Sequence, residues 1–310
     1  MSSMRTMLLA ALCSAIPAAV FAQAAAPAPG RTQLVVLGTG TPVPSPDRSG
    51  PSVAVVVNGS AYLVDFGPGV VRRAAAAFRE KHIEALRPAN LKIAFCTHLH
   101  SDHTAGLSDL FLTPAVIGRG APLELYGPPG LEDMAKHVRA AYAKDIDLRI
   151  HGLERGNPSA YRSNVHEIKP GVVYKDANVM VTAFAVPHGS WDYSYGYRFD
   201  TADRSIVISG DTGPNESVAK ACHGCDLMLH EVYSAKWFKQ QSEADQKYHS
   251  RFHTSTVELV AIANTGKPAQ LVMYHQLFLP GDDPDKVLLE EIRKAGYAGR
   301  ATSAHDLDVY

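Results

Sequence analysis

The sequence predicts an α/β fold, and three patterns carry that prediction. Short apolar runs bounded by glycine and proline alternate with helical periodicities along most of the chain. The runs repeatedly stop at histidine or aspartate, the residue types that α/β proteins gather at the carboxyl ends of their strands. An Asn58-Gly59 pair between two apolar runs marks a tight hairpin.

With 310 residues, 46% hydrophobic content and a formal charge of −1, the chain can bury a large core as one domain or as two intimate halves. No clustered basic stretch advertises a nucleic-acid surface. Residues 1–22 read as a secretory signal peptide: Arg5 precedes an apolar run over 8–21, and Val20-Phe21-Ala22 offers cleavage before Gln23. That run is too short to span a bilayer and no later stretch is apolar enough, so the expectation is an exported protein, periplasmic or secreted, off the membrane once cleaved. Residues 23–30 form a Pro/Ala tail, and the folded domain occupies 31–310. Cys96 sits in a strand-like run as a small buried hydrophobe. Cys222-His223-Gly224-Cys225 suits a small disulfide in an exported protein, since as a zinc half-site it lacks a second pair.

In chain order, a strand over 33–37 ends in the glycine turn Gly38-Thr39-Gly40-Thr41-Pro42, and proline-rich loop follows to Gly50. Strands over 52–57 and 61–66 flank Asn58-Gly59, a helix is predicted over 70–86, and a strand over 91–96. After the histidine cluster described below come an amphipathic helix over 104–112, a strand over 123–126 and a helix over 130–143. The polar stretch 145–169 reads as an irregular surface excursion. Strands resume over 172–186 and end in Pro187-His188-Gly189-Ser190. In 191–199 every second residue is aromatic, which places those rings on one face of a strand: first a core face, second a substrate wall beside His188. A strand over 205–209 delivers Asp211, a helix covers 216–222, and a strand over 226–229 delivers His230-Glu231. Polar residues 234–249 precede His253; Ser255 and Glu258 form a capping box for a helix through Asn264. A strand over 270–274 delivers His275, and a last helix over 285–295 leads to a strand-like stretch reaching His305-Asp306.

The chemistry concentrates in Thr97-His98-Leu99-His100-Ser101-Asp102-His103. In an extended segment His98 and His100 point the same way and reach one ion, while Asp102 and His103 diverge toward a second. Imidazole with carboxylate suits Zn²⁺; Mn²⁺ or Fe also fit such donors. Adding the other strand ends gives seven potential ligands: His98, His100 and His188 for one ion, Asp102, His103 and His275 for the other, and Asp211 shared between them. Each ion keeps an open position, as a catalytic site requires.

These residues, in this order, resemble the metallo-β-lactamase superfamily, and within it the ribonuclease Z and arylsulfatase-like branch. The resemblance runs through Gly38 to Pro42, Leu63-Val64-Asp65-Phe66-Gly67-Pro68-Gly69, Thr97 through Leu107, Val186-Pro187-His188 and Gly196-Tyr197-Arg198. It continues through Ser209-Gly210-Asp211-Thr212, Leu229-His230-Glu231, His253-Thr254-Ser255-Thr256 and Tyr274-His275. It implies an αββα four-layer sandwich and a dinuclear, zinc-dependent hydrolase with those seven ligands. It also implies that Asp65 fastens the ligand loops, and that Glu231 and His253 assist a departing alcohol. In that scheme Asp102 or Asp211 orients a water, activated between two cations, for attack on phosphorus or carbonyl. His230 reads as structural.

Two features turn the expected substrate away from transfer RNA. The long arm that ribonuclease Z enzymes commonly insert between the residues matching His188 and Asp211 has no room, because only 22 residues separate them. Export also removes the protein from transfer RNA. The expectation is therefore a small-molecule phosphodiester or related ester, without nucleic acid as partner, for a chain that can pair as a homodimer. A lactam or lactone hydrolase is one alternative, and a non-catalytic metal-binding protein on the same fold is another.

Overall fold

The computed structural model describes residues 32–310; the expected signal peptide and the expected tail over 23–30 lie outside the described residues. Two sheets face each other. The first runs β1 (Gln33–Gly38), β2 (Ser52–Val57), β3 (Ser60–Val64), β4 (Ile93–Phe95), β5 (Leu123–Gly127) and β6 (Ser163–Glu167) in spatial order. The second contains β7 (Gly171–Lys175), β8 (Val179–Ala185), β9 (Tyr195–Thr201), β10 (Ser205–Ile208), β11 (Leu227–Tyr233), β12 (Gln270–Leu277) and β13 (Ala301–Ser303), also in order. In both, antiparallel pairs give way to parallel ones, at β3–β4 and at β10–β11. The parallel strands therefore discharge their loops along one edge.

Strand alternation builds three apolar layers. Leu34 and Val36 face the second sheet, where Tyr197, Phe199, Ile206 and Ile208 meet them. Val35 and Leu37 face outward, under α1 (Val70–Glu80), α3 (Leu107–Val116) and α4 (Leu131–Ala141). On the far side Val207, Met228, Leu271 and Met273 pack beneath α6 (Glu216–Cys222), α9 (Thr256–Gly266) and α10 (Pro284–Lys294). The result is the expected αββα sandwich. Phe95 meets Phe199 edge-on at 5.6 Å between the sheets, a geometry worth about 1 kcal/mol beyond its buried area. Asp176 ties them again, accepting hydrogen bonds from the hydroxyls of Tyr62 (2.6 Å) and Tyr174 (2.9 Å).

Several elements differ from expectation. The first helix stops at Glu80 because His82 adopts left-handed backbone (φ 57°), leaving a short 3-10 turn over 84–86. The stretch 145–169 is ordered: it holds α5 (Ala143–His151), a 3-10 turn and the edge strand β6. The fully buried Arg119 anchors it, donating to the carbonyls of Ala160 (2.8 Å), Phe111 (2.8 Å) and Leu110 (3.0 Å). Long-range bonds of that kind leave no trace in local composition. The strand at 226–229 continues to Tyr233, so His230 and Glu231 lie within β11 rather than at its exit. Residues 234–249 form α7 (Ala235–Phe238) and the start of α8 (Glu243–Phe252). Cys222 and Cys225 form a disulfide, and Cys96 is a free, buried thiol. No helix among the described residues is long and apolar enough to cross a membrane.

Candidate metal centre

The site lies along the edge where both sheets discharge their loops. Parallel β4 ends at Phe95, and Thr97 is then fastened: its N–H and its hydroxyl both donate to the buried Asp65 carboxylate, at 2.7 and 2.9 Å. Asp65 takes left-handed backbone (φ 59°) to reach inward, and its Oδ2 also bonds His103 Nδ1 at 2.8 Å. Between these anchors the chain turns into the four-residue helix α2 (Ser101–Thr104), which carries Asp102 and His103. The turn is possible because glycine backbones close-pack there: a Cβ on Gly106 would meet the Gly67 carbonyl oxygen at 2.4 Å.

The second sheet supplies the rest. His188 follows β8, Asp211 follows β10, and His275 sits where the β11–β12 register shifts, with φ 44° re-aiming its ring. Three imidazole nitrogens converge: His98 Nε2 and His188 Nε2 lie 2.9 and 3.0 Å from His100 Nδ1. Asp211 Oδ2 is 4.0 Å from His98 Nε2 and 3.3 Å from both His103 Nε2 and His275 Nε2. Asp102 Oδ2 lies 3.2 Å from His275 Nε2 and 3.6 Å from His103 Nε2. Ligand atoms of His98, His100, His188 and Asp211 lie within 4.8 Å of one another, as do those of Asp102, His103 and His275. The structure thus brings all seven sequence-predicted ligands into two adjoining groups.

The donor set fits divalent cations. Asp211 Oδ1 and His103 Nε2 are buried without a hydrogen-bond partner, the ring nitrogen facing the Asp211 and Asp102 carboxylates at 3.3 and 3.6 Å. Burial pushes the His188 ring down to about 3 and holds His98 and His100 below the ordinary imidazole range, so all three are neutral donors. Burial opposes charge on His103 and His275 too, but Asp211 foremost raises both above that range. Asp211 is buried as well, yet His275 and His103 hold it well below the usual carboxylate range. Outer atoms fix the rings: Thr97 Oγ1 is 3.0 Å from His98 Nδ1, and the Phe252 carbonyl is 2.7 Å from His188 Nδ1.

Glu231 is fully buried, with Oε1 accepting from Thr254 N–H at 2.8 Å; its Oε2 lies 3.3 Å from His253 Nδ1. Burial, and then Asp211, push the Glu231 carboxyl well above its ordinary range, while burial pushes His253 down to about 4. His253 Nδ1 is 3.9 Å from Asp211 Oδ2, so the pair borders the metal donors. His230 turns away, its Nδ1 bonding the Glu231 carbonyl at 2.7 Å.

The aromatic stretch divides. Tyr195, Tyr197 and Phe199 are buried on β9, whereas Trp191 is 37% exposed and lies at the site, its Nε1–H 2.8 Å from His100 Nε2. Sequence reasoning missed Tyr248 and Phe252 of α8. Phe252 lies 5.0 Å from the His188 ring. Their signal was present as two aromatics four residues apart in an otherwise polar helix.

Comparisons with known proteins agree with this geometry. A family model described as a beta-lactamase superfamily domain matches residues 61–276. A curated relative named ribonuclease Z, from Mycobacterium bovis, is 32% identical over 280 residues, covering 89% of this chain and 96% of that protein. A ribonuclease Z from Mycobacterium marinum is 33% identical, covering 78% and 85%. The metallo-beta-lactamase fold protein YhfI from Bacillus subtilis superposes with TM-score 0.67 at 16% identity, covering 91% and 100%. Human tRNase Z, short form, gives 0.64 at 22% identity, covering 90% and 98%. These relatives overturn the expectation of a small-molecule ester substrate without nucleic acid: proteins alike over nearly the whole chain are named for action on RNA. The expectation failed because it leaned on the short segment between His188 and Asp211 and on an expected leader, and neither reports on the catalytic centre itself.

Proposed function

The chain belongs to the metallo-β-lactamase superfamily, among its ribonuclease Z-like members, and from that premise we propose that it is a metal-dependent phosphodiesterase acting on RNA. The observation that carries the reading is the Glu231–His253 pair, 3.3 Å apart and bordering Asp211 at the rim of the metal donors. The seven donors would hold two divalent ions, Zn²⁺ by donor type, which would make a bound water acidic near neutral pH and offset charge on a phosphoryl group. Asp211 and Asp102 orient the attacking water through their inward oxygens. The neutral His253 ring, steadied by Glu231, takes up the proton that the attacking water releases and delivers it to the departing ribose oxygen. Asp65 keeps His103 in the tautomer whose Nε2 faces the centre. The predicted leader over 1–22 makes export to the periplasm or medium part of the proposal, tested by the mass of the mature N-terminus. Zinc-loaded protein should cleave an RNA oligonucleotide and lose that activity to a chelator, and His253→Ala should slow cleavage by about 10²-fold with metal content intact. Failure of the loaded wild type to cleave any RNA would refute the reading.

A further inference from the structure

We propose that Tyr248 is a stacking platform for the nucleobase next to the phosphodiester being cleaved; this rests on the RNA reading above. The geometry begins at His100, whose ring lies nearly parallel to that of Phe252 (22°, 6.3 Å), while Phe252 stacks on Tyr248 (21°, 4.2 Å). The three rings form a column rising out of the metal centre. Tyr248 ends it: the residue is 42% exposed, and beyond Phe252 its one other ring contact among the described residues is the edge-on His249. A flat, open aromatic face at the end of such a column is a continuation site for another flat ring.

Two observations make the column a built feature. Helix α8 has no fully buried residue, so its aromatics do not serve a core. The column is also held in place, because Phe252 packs directly over Gly189, where a Cβ would stand 2.0 Å from the ring. Trp191 stands perpendicular to His100 (88°, 5.0 Å), giving the column a side wall.

The test compares zinc-loaded wild type, Tyr248→Ala and Tyr248→Trp on two RNA oligonucleotides, one intact and one abasic at the nucleotides flanking the cleaved bond. Binding of a non-cleavable intact oligonucleotide carrying a fluorescent label, read by anisotropy, supplies a second readout. The expected result is that Tyr248→Ala lowers the intact-to-abasic ratio of kcat/KM about 10-fold or more, mainly through KM, that Tyr248→Trp restores it, and that binding weakens in parallel. An unchanged ratio in Tyr248→Ala, with wild type active, overturns the platform while leaving the phosphodiesterase standing. Wild type inactive on both oligonucleotides overturns the phosphodiesterase reading and the platform with it.

Discussion

Replacing Asp65 with Asn tests how the first half of the metal centre is held. The carboxylate accepts three hydrogen bonds, from Thr97 N–H (2.7 Å), Thr97 Oγ1 (2.9 Å) and His103 Nδ1 (2.8 Å), all buried. An amide of the same shape keeps one oxygen acceptor and puts a donor in the other position, so at least one of these contacts becomes donor against donor. Bonds to a buried charge contribute about 1.5–3 kcal/mol each, and the variant should lose about 3 kcal/mol, or ~6 °C in Tm. The alternative is a tautomer flip in which His103 accepts at Nδ1 and carries its proton on Nε2, the atom 3.3 Å from Asp211. That hydrogen would occupy the lone pair needed for coordination, and affinity for the second metal should fall about 10- to 100-fold while the first is held. Thermal unfolding of the metal-free protein and equilibrium dialysis against zinc measure the two effects separately. A variant that binds two ions with wild-type affinity and melts at the wild-type temperature refutes the reasoning.

Three further outcomes follow from the structure. Arg119→Met should cost about 3 kcal/mol or more in denaturant unfolding, because the carbonyls of Leu110, Phe111 and Ala160 lose their buried donor together. Gly106→Ala should cost about 2 kcal/mol or more and weaken metal binding, since the new methyl group meets the Gly67 and Phe66 carbonyl oxygens at 2.4 and 2.6 Å. Asp176 should give an acid-sensitive contribution: burial opposes its ionisation, but the Tyr62 hydroxyl foremost holds its pKa below the ordinary range. A depressed folded-state value stabilises above the unfolded pKa, near 3.9, and the benefit disappears as pH falls through the folded value. The Tm gap between wild type and Asp176→Asn should thus be constant at neutral pH and close below about pH 4; a gap that widens on acidification would contradict the assigned sign.

Much of the centre was legible because its information is local. His98 to His103 are contiguous, and His188, Asp211 and His275 each sit just past or within an apolar run, so strand ends could be paired with donors from sequence alone. The Asn58-Gly59 hairpin was equally legible, as both residues adopt positive φ there (48° and 78°). What stayed hidden depends on distant partners. The order in 145–169 comes from Arg119, a residue outside that stretch whose buried bonds composition does not encode. His275 reaches its place through a register shift against β11, a property of two strands together. Tyr248 looked like part of a polar stretch because the ring it stacks on, Phe252, packs against a loop that carries Gly189, some sixty residues earlier in the chain.

The two sheets contribute unequally to the metal donors: four come from the segment after β4, and three from the opposite sheet, two of them in loops and His275 within β12. An ion held by both is then a rivet across the seam of the sandwich, and its chemical potential becomes a mechanical variable of the fold. Stabilisation of the closed seam grows as RT ln(1 + [metal]/Kd), about 2.7 kcal/mol when free metal exceeds Kd a hundredfold. The resistance of the domain to opening, and to proteolysis of its ligand loops, is thereby set by the metal content of its surroundings as much as by its own sequence.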